Sequence, residues 1–582
     1  MNQSSQKKRI AIIGGGPGCL FVLKNLIGLK TRFEIEVFEK SEQIGAGMPY
    51  SDAGAGREHI TNVSDSEITP IVTSVKKWVG TIDEATLEKF GINPEYFTRY
   101  HVLPRLLFGQ YLTDQFKLLR QQAEDRGHIL RVHTGMEVTD IVDQPEQNQV
   151  RSEIKNGTWK EFEAVVICTG HRWPKVNEGK VPGYFDSPYP PSKLATKLNH
   201  PIAIKGSSLT AIDAVRTLAR ANGTFETGID RRLRYIPAPG SERFKIVMHS
   251  RNGLLPAIRF HLREPRLNPD SLMTAEQIRR NRDENEGFLS LDFIFEHSFK
   301  QSFRKRDPAF YKRIKGMSLE VFVDTMMSMR EEKEPFELFR KEYEEAERSI
   351  EQRKSVFWKE MLAELSYVMN YPAKYLSAED MLRLQKVLMP LIAVVIAFVP
   401  QESCEELFAL HDAKKLQVVS VGSQSRVEPG PDGGIVYRYT DEQGKSHAVR
   451  YQTYIDCSGQ PHLPLEALPF QGLRIRQSVS QAVLKFRSAK EAEKCIRQGG
   501  EQVFQNDNGD YFLKVPGITI NDHFQIVNEY GIANERIYMM AAPYIGGYNP
   551  DYSGLDFCEA ASRCIAEKLE SETGFSPIFK KY

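Results

Sequence analysis

The sequence predicts an α/β protein: parallel sheets made of βαβ units, one such unit set inside another, with a helical segment inserted as well. Three observations predict it. Short β-rich runs ("RIAIIG", "FEIEVFE", "EAVVICTG", "PIAIKG", "FKIVMHSR") alternate with helical patterns from the start to about residue 260. Residues 265–415 are instead rich in Glu, Lys, Arg, Leu and Met. β-Rich runs then return as "LQVVSVG", "GIVYRYT" and "YQTYIDCSG". With 582 residues the chain is long for one core, and these changes place boundaries at 1–195, 196–264, 265–415, 416–460 and 461–582.

Each element has a local reason. "IAIIG" is an apolar strand that runs into Gly14 and Gly16, and "CLFVLKNLIGL" continues as a helix. Gly14 permits the tight turn, and Gly16 lets backbone approach an anionic diphosphate. Pro17 and Gly18 open the helix, whose free N–H groups and partial positive charge face that anion. Cys19 stands where a third glycine is usual; it is small enough for helix to pack on strand, and its thiol reads as a packing group. The next strand, "FEIEVFEK", ends at Glu39, about 20 residues on, where an acid takes ribose hydroxyls.

The pattern recurs. "EAVVICTGHRWP" ends its strand in Thr169-Gly170, a pairing that allows close backbone approach. "PIAIKGSSLTAIDAVRTLAR" is a further strand, turn and helix, with Ser208 and Ala211 in the second and third glycine positions. "FKIVMHSRNG" ends in Ser250-Arg251; an arginine there suits a 2′-phosphate and so NADPH, or is an ordinary surface charge. "TYIDCSGQ" repeats the Thr169-Gly170 pattern, which sets the second nucleotide unit inside the first. Within 265–415, "EEKEPFELFRKEYEEAERSIEQRKSVFWKEML" is the clearest helical stretch, its charges read as a solvated face. The apolar run Val387–Val399 is shorter than the ~20 residues a bilayer needs and reads as a buried helix. "RIYMM", a Gly/Pro/Tyr loop and a helix starting near Ser553-Gly554 close the chain, that helix end able to face a flavin.

Composition narrows the partners. Net charge is +1, so no global field favours nucleic acid or an anionic membrane. The seven cysteines form no C-x-x-C pair and no zinc spacing, which points to reduced thiols, a cytoplasmic location and no metal. The composition is compatible with a homo-oligomer and sets no oligomeric state.

Six stretches together resemble the flavoproteins that hold FAD in one Rossmann-like domain and NAD(P)H in another: "IAIIGGGPGCL", "IGAGMPYS", "EHITNVSDSEI", "LPRLLFGQYL", "IKGSSLTAIDA" and "SRNGLLP". More narrowly they resemble the FAD-NAD(P)-binding, flavin monooxygenase-like group, amino-acid N-monooxygenases included. That resemblance implies a Rossmann-like FAD domain with a smaller inserted NAD(P) domain. It implies that Gly14, Gly16 and Glu39 hold the ADP half of FAD, and that Gly45, Gly47, Tyr50 and Asn62 lie toward the flavin. Arg105 and Thr169-Gly170 would line the same site, with Asn62 and Arg105 the catalytic candidates; Gly206, Ser208, Thr210 and Arg251 would serve NADPH. Ser208 departs from the glycine usual in that second turn.

FAD beside NADPH means hydride transfer to flavin. Electrons can then leave to a disulfide, to oxygen or to another acceptor. With no C-x-x-C, disulfide reduction ranks last. Oxygen chemistry needs a dry pocket, and the helical insertion, Val387–Val399 in particular, could roof one. The reading is an FAD-dependent NADPH:oxygen monooxygenase with a small-molecule substrate, hydroxylating nitrogen on an amino-acid-like amine. Arg259, Arg263 and Arg266 are candidates for its carboxylate, against the plainer reading of surface arginines. The alternatives are oxygenation of a carbon centre, or a flavin-binding redox or regulatory protein with no small-molecule substrate.

Overall fold

The computed structural model describes residues 7–262, 273–370, 372–551 and 554–571. The first unit opens with β1 (Lys8–Ile13), α1 (Pro17–Gly28) and β2 (Phe33–Phe38). Ile10 to Ile13 are all buried, as a parallel strand covered on both faces requires. A long excursion follows, with β3 (Ile60–Ser64), β4 (Val102–Pro104) and α2 (Arg105–Asp125), before β5 (Ile129–His133) rejoins the sheet. A three-stranded antiparallel meander, β6 (Val138–Gln144), β7 (Gln149–Ile154) and β8 (Trp159–Phe162), leads to the fully buried β9 (Ala164–Ile167).

The chain then builds a second unit by the same plan. β10 (Tyr184–Phe185), β11 (Pro201–Lys205), α3 (Leu209–Asn222), the hairpin β12 (Gly223–Thr227) and β13 (Leu233–Pro237), and β14 (Lys245–Ser250) come first. After the helical insertion come β15 (Leu416–Ser420), the meander β16 (Arg426–Pro429), β17 (Ile435–Thr440) and β18 (Ser446–Tyr451), and β19 (Thr453–Asp456). Its all-parallel sheet runs β10-β19-β11-β14-β15. The order β9-β1-β2-β5 in the first sheet and β19-β11-β14-β15 in the second are the same arrangement, each return strand preceded by its own meander. Each unit also carries its long insertion in the same place, between the second strand and the third.

The insertion of the second unit is helical and includes α4 (Leu319–Glu331), α5 (Pro335–Gln352), α6 (Phe357–Asn370), α7 (Met389–Val395) and α8 (Gln401–Asp412). Two expectations are corrected here. The charged stretch "EEKEPF…WKEML" is not one helix, because it breaks before Pro335 and again at Arg353, which has φ 50°. Nor are its charges all solvated. Arg330 and Lys359 both pair with Glu342, at 2.6 and 2.9 Å, and all three are buried. Burial alone would raise the Glu342 carboxyl, but the two cations hold it at about 2. The apolar run Val387–Val399 is buried or half-buried at every position but Ala393, yet only its middle is α-helical; Val399 bridges Ile258 instead.

The chain ends in the first unit. After a small antiparallel sheet, β20 (Gln481–Lys485), β21 (Val503–Gln505) and β22 (Tyr511–Ile518), come β23 (Gln525–Val527) and β24 (Ala533–Met539). They complete the first sheet as β23-β24-β9-β1-β2-β5, and α9 (Leu555–Ser571) packs on α1, with Asn25 Nδ2 donating to Ser562 Oγ at 2.8 Å. The first unit and most of the helical insertion share one core, and the second unit has its own. No helix among the described residues is long and apolar enough to cross a membrane.

Candidate cofactor and catalytic site

The two glycine turns have the same geometry. Gly14 has φ +101°, its N–H donates to Phe38 O at 2.8 Å, and a Cβ on it would sit 2.6 Å from Cys168 O. Gly206 has φ +105°, its N–H donates to His249 O at 2.8 Å, and a Cβ would sit 2.7 Å from Cys457 O. Glycine is required at both, by backbone conformation and by the crossing return strand. Gly16 caps α1 at φ −82°, ψ −164°, and Ser208 caps α3 at φ −90°, ψ −165°. Serine adopts that conformation without strain, so glycine at position 16 serves access, not the turn itself. Neither cap spends a side-chain hydrogen bond; Pro17 has no N–H to offer and Cys19 N–H donates to Gly16 O, so the α1 end presents Gly18 N–H to an anion, and the α3 end presents those of Leu209 and Thr210. Pro17 is the first residue of α1, a Cβ on Gly18 would meet Met540 and Cys168 only at ordinary contact distance, and Thr210 is half-buried in the first turn of α3.

The residues after the second strands differ between the units. Glu39 accepts from Gly15 N at 2.7 Å and from Ser41 N at 2.8 Å, which holds its carboxylate against the first turn. The equivalent residue in the second unit is the small Ser250, and the next, Arg251, is exposed. An acid there would repel a phosphate; serine followed by arginine would receive one. Cys19 is fully buried, and burial, then Glu39, push its thiol well up, so it stays a protonated packing group.

The two most specific sequence motifs pack on each other. Gly45 donates to Gly15 O at 2.7 Å and lies against Leu112, while Thr113 Oγ1 donates to Ile44 O at 2.9 Å. Gly109 meets Tyr50 so closely that a Cβ would fall 2.0 Å from Tyr50 O, and the Tyr50 ring rests on Phe108. Thus "GAGMPYS" folds over the first turn, with Gly47 against Gly16 and Pro17, and "LPRLLFGQYL" supports it from behind. Asn62 is half-buried on β3, with Nδ2 3.5 Å from Ala397 O at the end of the apolar run of the insertion. Beside Cys168, Thr169 Oγ1 is buried with no hydrogen-bond partner, and Gly170 is exposed. Gly554 is exposed ahead of α9, whereas Ser553, Arg263 and Arg266 lie outside the described residues.

Two arginines do something other than the sequence predicts. Arg105 Nη1 donates to Asp213 at 2.5 Å and Nε to Ile60 O at 3.1 Å, and Tyr189 Oη donates to the same Asp213 oxygen at 2.7 Å. Burial alone would raise the Asp213 carboxyl, but Arg105 and His59 outweigh it and hold it below the usual range. Arg259 pairs with Glu67 and donates to Asn62 O at 2.5 Å and Ser64 Oγ at 3.0 Å. Its side chain is 9% exposed and its guanidinium is engaged within the chain, so it is not presented to a substrate carboxylate. Sequence reading missed Asp213, Glu67 and Gly109. The signal for Gly109 was its place inside an otherwise regular helical run; the two acids gave none, since their partners are 108 and 192 residues away.

This geometry agrees with comparisons to known proteins. Residues 11–172 match the family described as FAD-NAD(P)-binding. Residues 274–396, within the helical insertion, match the YdhS-like middle domain. The uncharacterized protein YdhS of Escherichia coli (strain K12) is 28% identical over 471 residues, covering 80% of this chain and 86% of that one. Among solved structures, the ornithine N-hydroxylase of Kutzneria sp. 744 is similar with 12% identity and a TM-score of 0.47, over 98% of this chain and 100% of that one. The L-lysine 6-monooxygenase of Pseudomonas syringae is similar with 12% identity and a TM-score of 0.46, over 98% and 99%.

The cofactors of an FAD-NAD(P)-binding domain are FAD and NAD(P)H, and the residues fit them. The FAD-NAD(P)-binding segment contains a glycine cradle a Cβ would fill, an uncapped helix end, a carboxylate fixed at the turn and an unpartnered buried threonine hydroxyl. A second cradle and uncapped helix end follow in the other unit.

Proposed function

We propose that this protein is an FAD-dependent NADPH:oxygen monooxygenase that hydroxylates nitrogen on a small amino-acid-like amine. One observation carries the oxygen half of that reading: two nucleotide turns share one chain, yet the thiols beside the first turn are unsuited to disulfide exchange. Cys168 and Cys558 are free, burial pushes both thiols up, that of Cys558 to about 12, and neither belongs to a C-x-x-C pair. Bound FAD would supply hydride acceptance and activation of oxygen. The chain's own contributions are positional. The α1 end and Gly14–Gly16 would bind the diphosphate, Glu39 the ribose, and Thr169 and Asn62 would present polar groups toward the flavin. The contact of Ala397 with Asn62 brings the apolar run of the insertion over this place, where it would exclude water. Ser250 and Arg251 favour NADPH over NADH.

In the balanced reaction NADPH gives a hydride and becomes NADP⁺, one atom of O₂ enters an N–O bond, and the other leaves as water with two protons. Nitrogen as the acceptor rests on the sequence resemblance to amino-acid N-monooxygenases. A second reading, oxygenation of a carbon centre, draws on the cleft between α6 and α9, where the aromatic side chains of Tyr367, Phe524, Tyr548 and Phe557 form part of the walls. The test is NADPH oxidation and oxygen uptake by the FAD-loaded protein, with and without candidate amines, followed by mass analysis of products. A hydroxylated amine formed in step with NADPH use supports the proposal. Oxygenated carbon supports the second reading, and a protein that takes up no FAD ends both.

A further inference from the structure

Strand β3, which carries Asn62, is gripped by two arginines, and each belongs to a buried ion pair between the two nucleotide units. The pairs have opposite sense. At one end the cation comes from the first unit: Arg105, the first residue of α2, holds Ile60 O and pairs with Asp213 on α3 of the second unit. At the other end the cation comes from the second unit: Arg259, on the segment leaving β14, holds Asn62 O and Ser64 Oγ and pairs with Glu67 of the first. Asp213 is 5% exposed and Arg259 7%. Around the first pair, Tyr189 donates to Asp213, and His59 Nε2 lies 3.1 Å from both Asp213 O and Thr217 Oγ1 on α3. The two connections between the units are tied together as well: Gln460 Nε2 donates to Arg172 O at 2.8 Å, and Trp173 Nε1 to Gly459 O at 3.3 Å.

Domains within one chain move against each other unless their interface resists it. Here rotation of the second unit about any axis that does not pass through both pairs would separate at least one of them. Each would leave a guanidinium and a carboxylate buried without a partner, the arrangement that makes breaking a buried pair so unfavourable. Because the pairs run in opposite directions, a slipped register would also bring like charges together. We infer that Arg105–Asp213 and Arg259–Glu67 lock the two nucleotide units in one working orientation, so that hydride passes from NADPH to FAD with no domain rotation. The inference rests on the proposed NADPH-to-FAD transfer and makes these four positioning residues, neither catalytic nor substrate-binding.

The test uses the full-length chain, wild type beside Asp213→Asn, Arg259→Gln, the conservative Arg105→Lys and the mild Tyr189→Phe. Small-angle scattering is recorded for apoprotein, FAD-loaded oxidised, dithionite-reduced and NADP⁺-bound samples. Stopped flow then measures how fast NADPH bleaches the flavin under anaerobic conditions. Wild-type scattering curves are expected to superimpose in all four states. Asp213→Asn and Arg259→Gln should slow NADPH-driven bleaching about 100-fold, the effect of a misplacement near 1 Å, while dithionite still bleaches them fully. Arg105→Lys should keep most of the rate, and Tyr189→Phe should lie between.

Scattering that changes on NADP⁺ binding overturns the lock. So does a pair of variants that lose thermal stability yet bleach at the wild-type rate, or an Arg259→Gln chain altered only in its amine KM. Should a variant not fold, wild-type scattering and Tyr189→Phe still decide. A wild type that binds no FAD, or is not bleached by NADPH, defeats the proposed function instead, and apoprotein scattering tests the lock without it.

Discussion

Replacing Gly206 by alanine is expected to leave the flavin bound and cut off its electrons. At φ +105° an L-residue carries about 1–3 kcal/mol of backbone strain. The new Cβ would lie 2.7 Å from Cys457 O and 3.1 Å from Cys457 C, both on the return strand of the second sheet. Ordinary C···O approach is about 3.3 Å or more, so β11 and β19 must part by roughly 0.6 Å at the turn. Overpacking of this kind adds about 1–3 kcal/mol, for a total near 4 kcal/mol. The damage is local, because the second unit has its own core. It falls where the nucleotide diphosphate would sit, and a displacement of that size should slow hydride delivery about 10- to 100-fold. Gly14→Ala is the matched control, with φ +101° and a Cβ 2.6 Å from Cys168 O in the other turn. It should lose FAD outright. The assay is flavin released per chain on denaturation, then anaerobic bleaching by NADPH. A Gly206→Ala protein bleached at the wild-type rate, with unchanged dependence on NADPH, would refute the assignment of the second turn.

Three further outcomes are expected. Arg251→Ala should lower the ratio of kcat/KM for NADPH over NADH about 10-fold or more, the worth of one charge-assisted hydrogen bond; an unchanged ratio makes Arg251 a plain surface charge. Cys168→Ser and Cys558→Ser should keep NADPH-driven oxygen uptake, since burial holds both native thiols protonated; loss of uptake in both would point back to thiol chemistry. His249, 2% exposed and stacked on Tyr437 at 4.0 Å, is pushed down by burial to about 4 from 6.5. Between those values the unfolded chain binds the extra proton, so the stability is full above pH 6.5 and is lost as pH falls toward 4. Denaturant unfolding at pH 7 and pH 5 should differ by about 2 kcal/mol more for wild type than for His249→Phe, and parallel losses would disprove the assignment.

How much of this could be read in advance depended on distance along the chain. Both nucleotide turns were legible, because strand, glycine, helix and second strand lie within about 50 residues and each announces itself locally. Cys19 was readable as tolerated by its size, whereas Ser208 read as a departure, and only its backbone angle in the structure shows that serine fits there without strain. The charged helical stretch misled, because Arg330, Glu342 and Lys359 carry a solvated composition and bury it by pairing with one another. Arg105 was placed beside the flavin by resemblance alone and Arg259 read as a carboxylate candidate or a surface charge; their buried partners Asp213 and Glu67 were not legible.

By itself the sequence determined the α/β class, two nucleotide turns built alike, and where a helical segment interrupts the second. These follow from hydrophobic period and from glycine's freedom at positive φ, which are properties of neighbouring residues. The tertiary structure alone decided what faces what: Gly109 under Tyr50, Ala397 over Asn62, and the two ion pairs that bracket β3. Those contacts join residues from 59 to 335 positions apart, and no local periodicity encodes which buried acid a given arginine will meet.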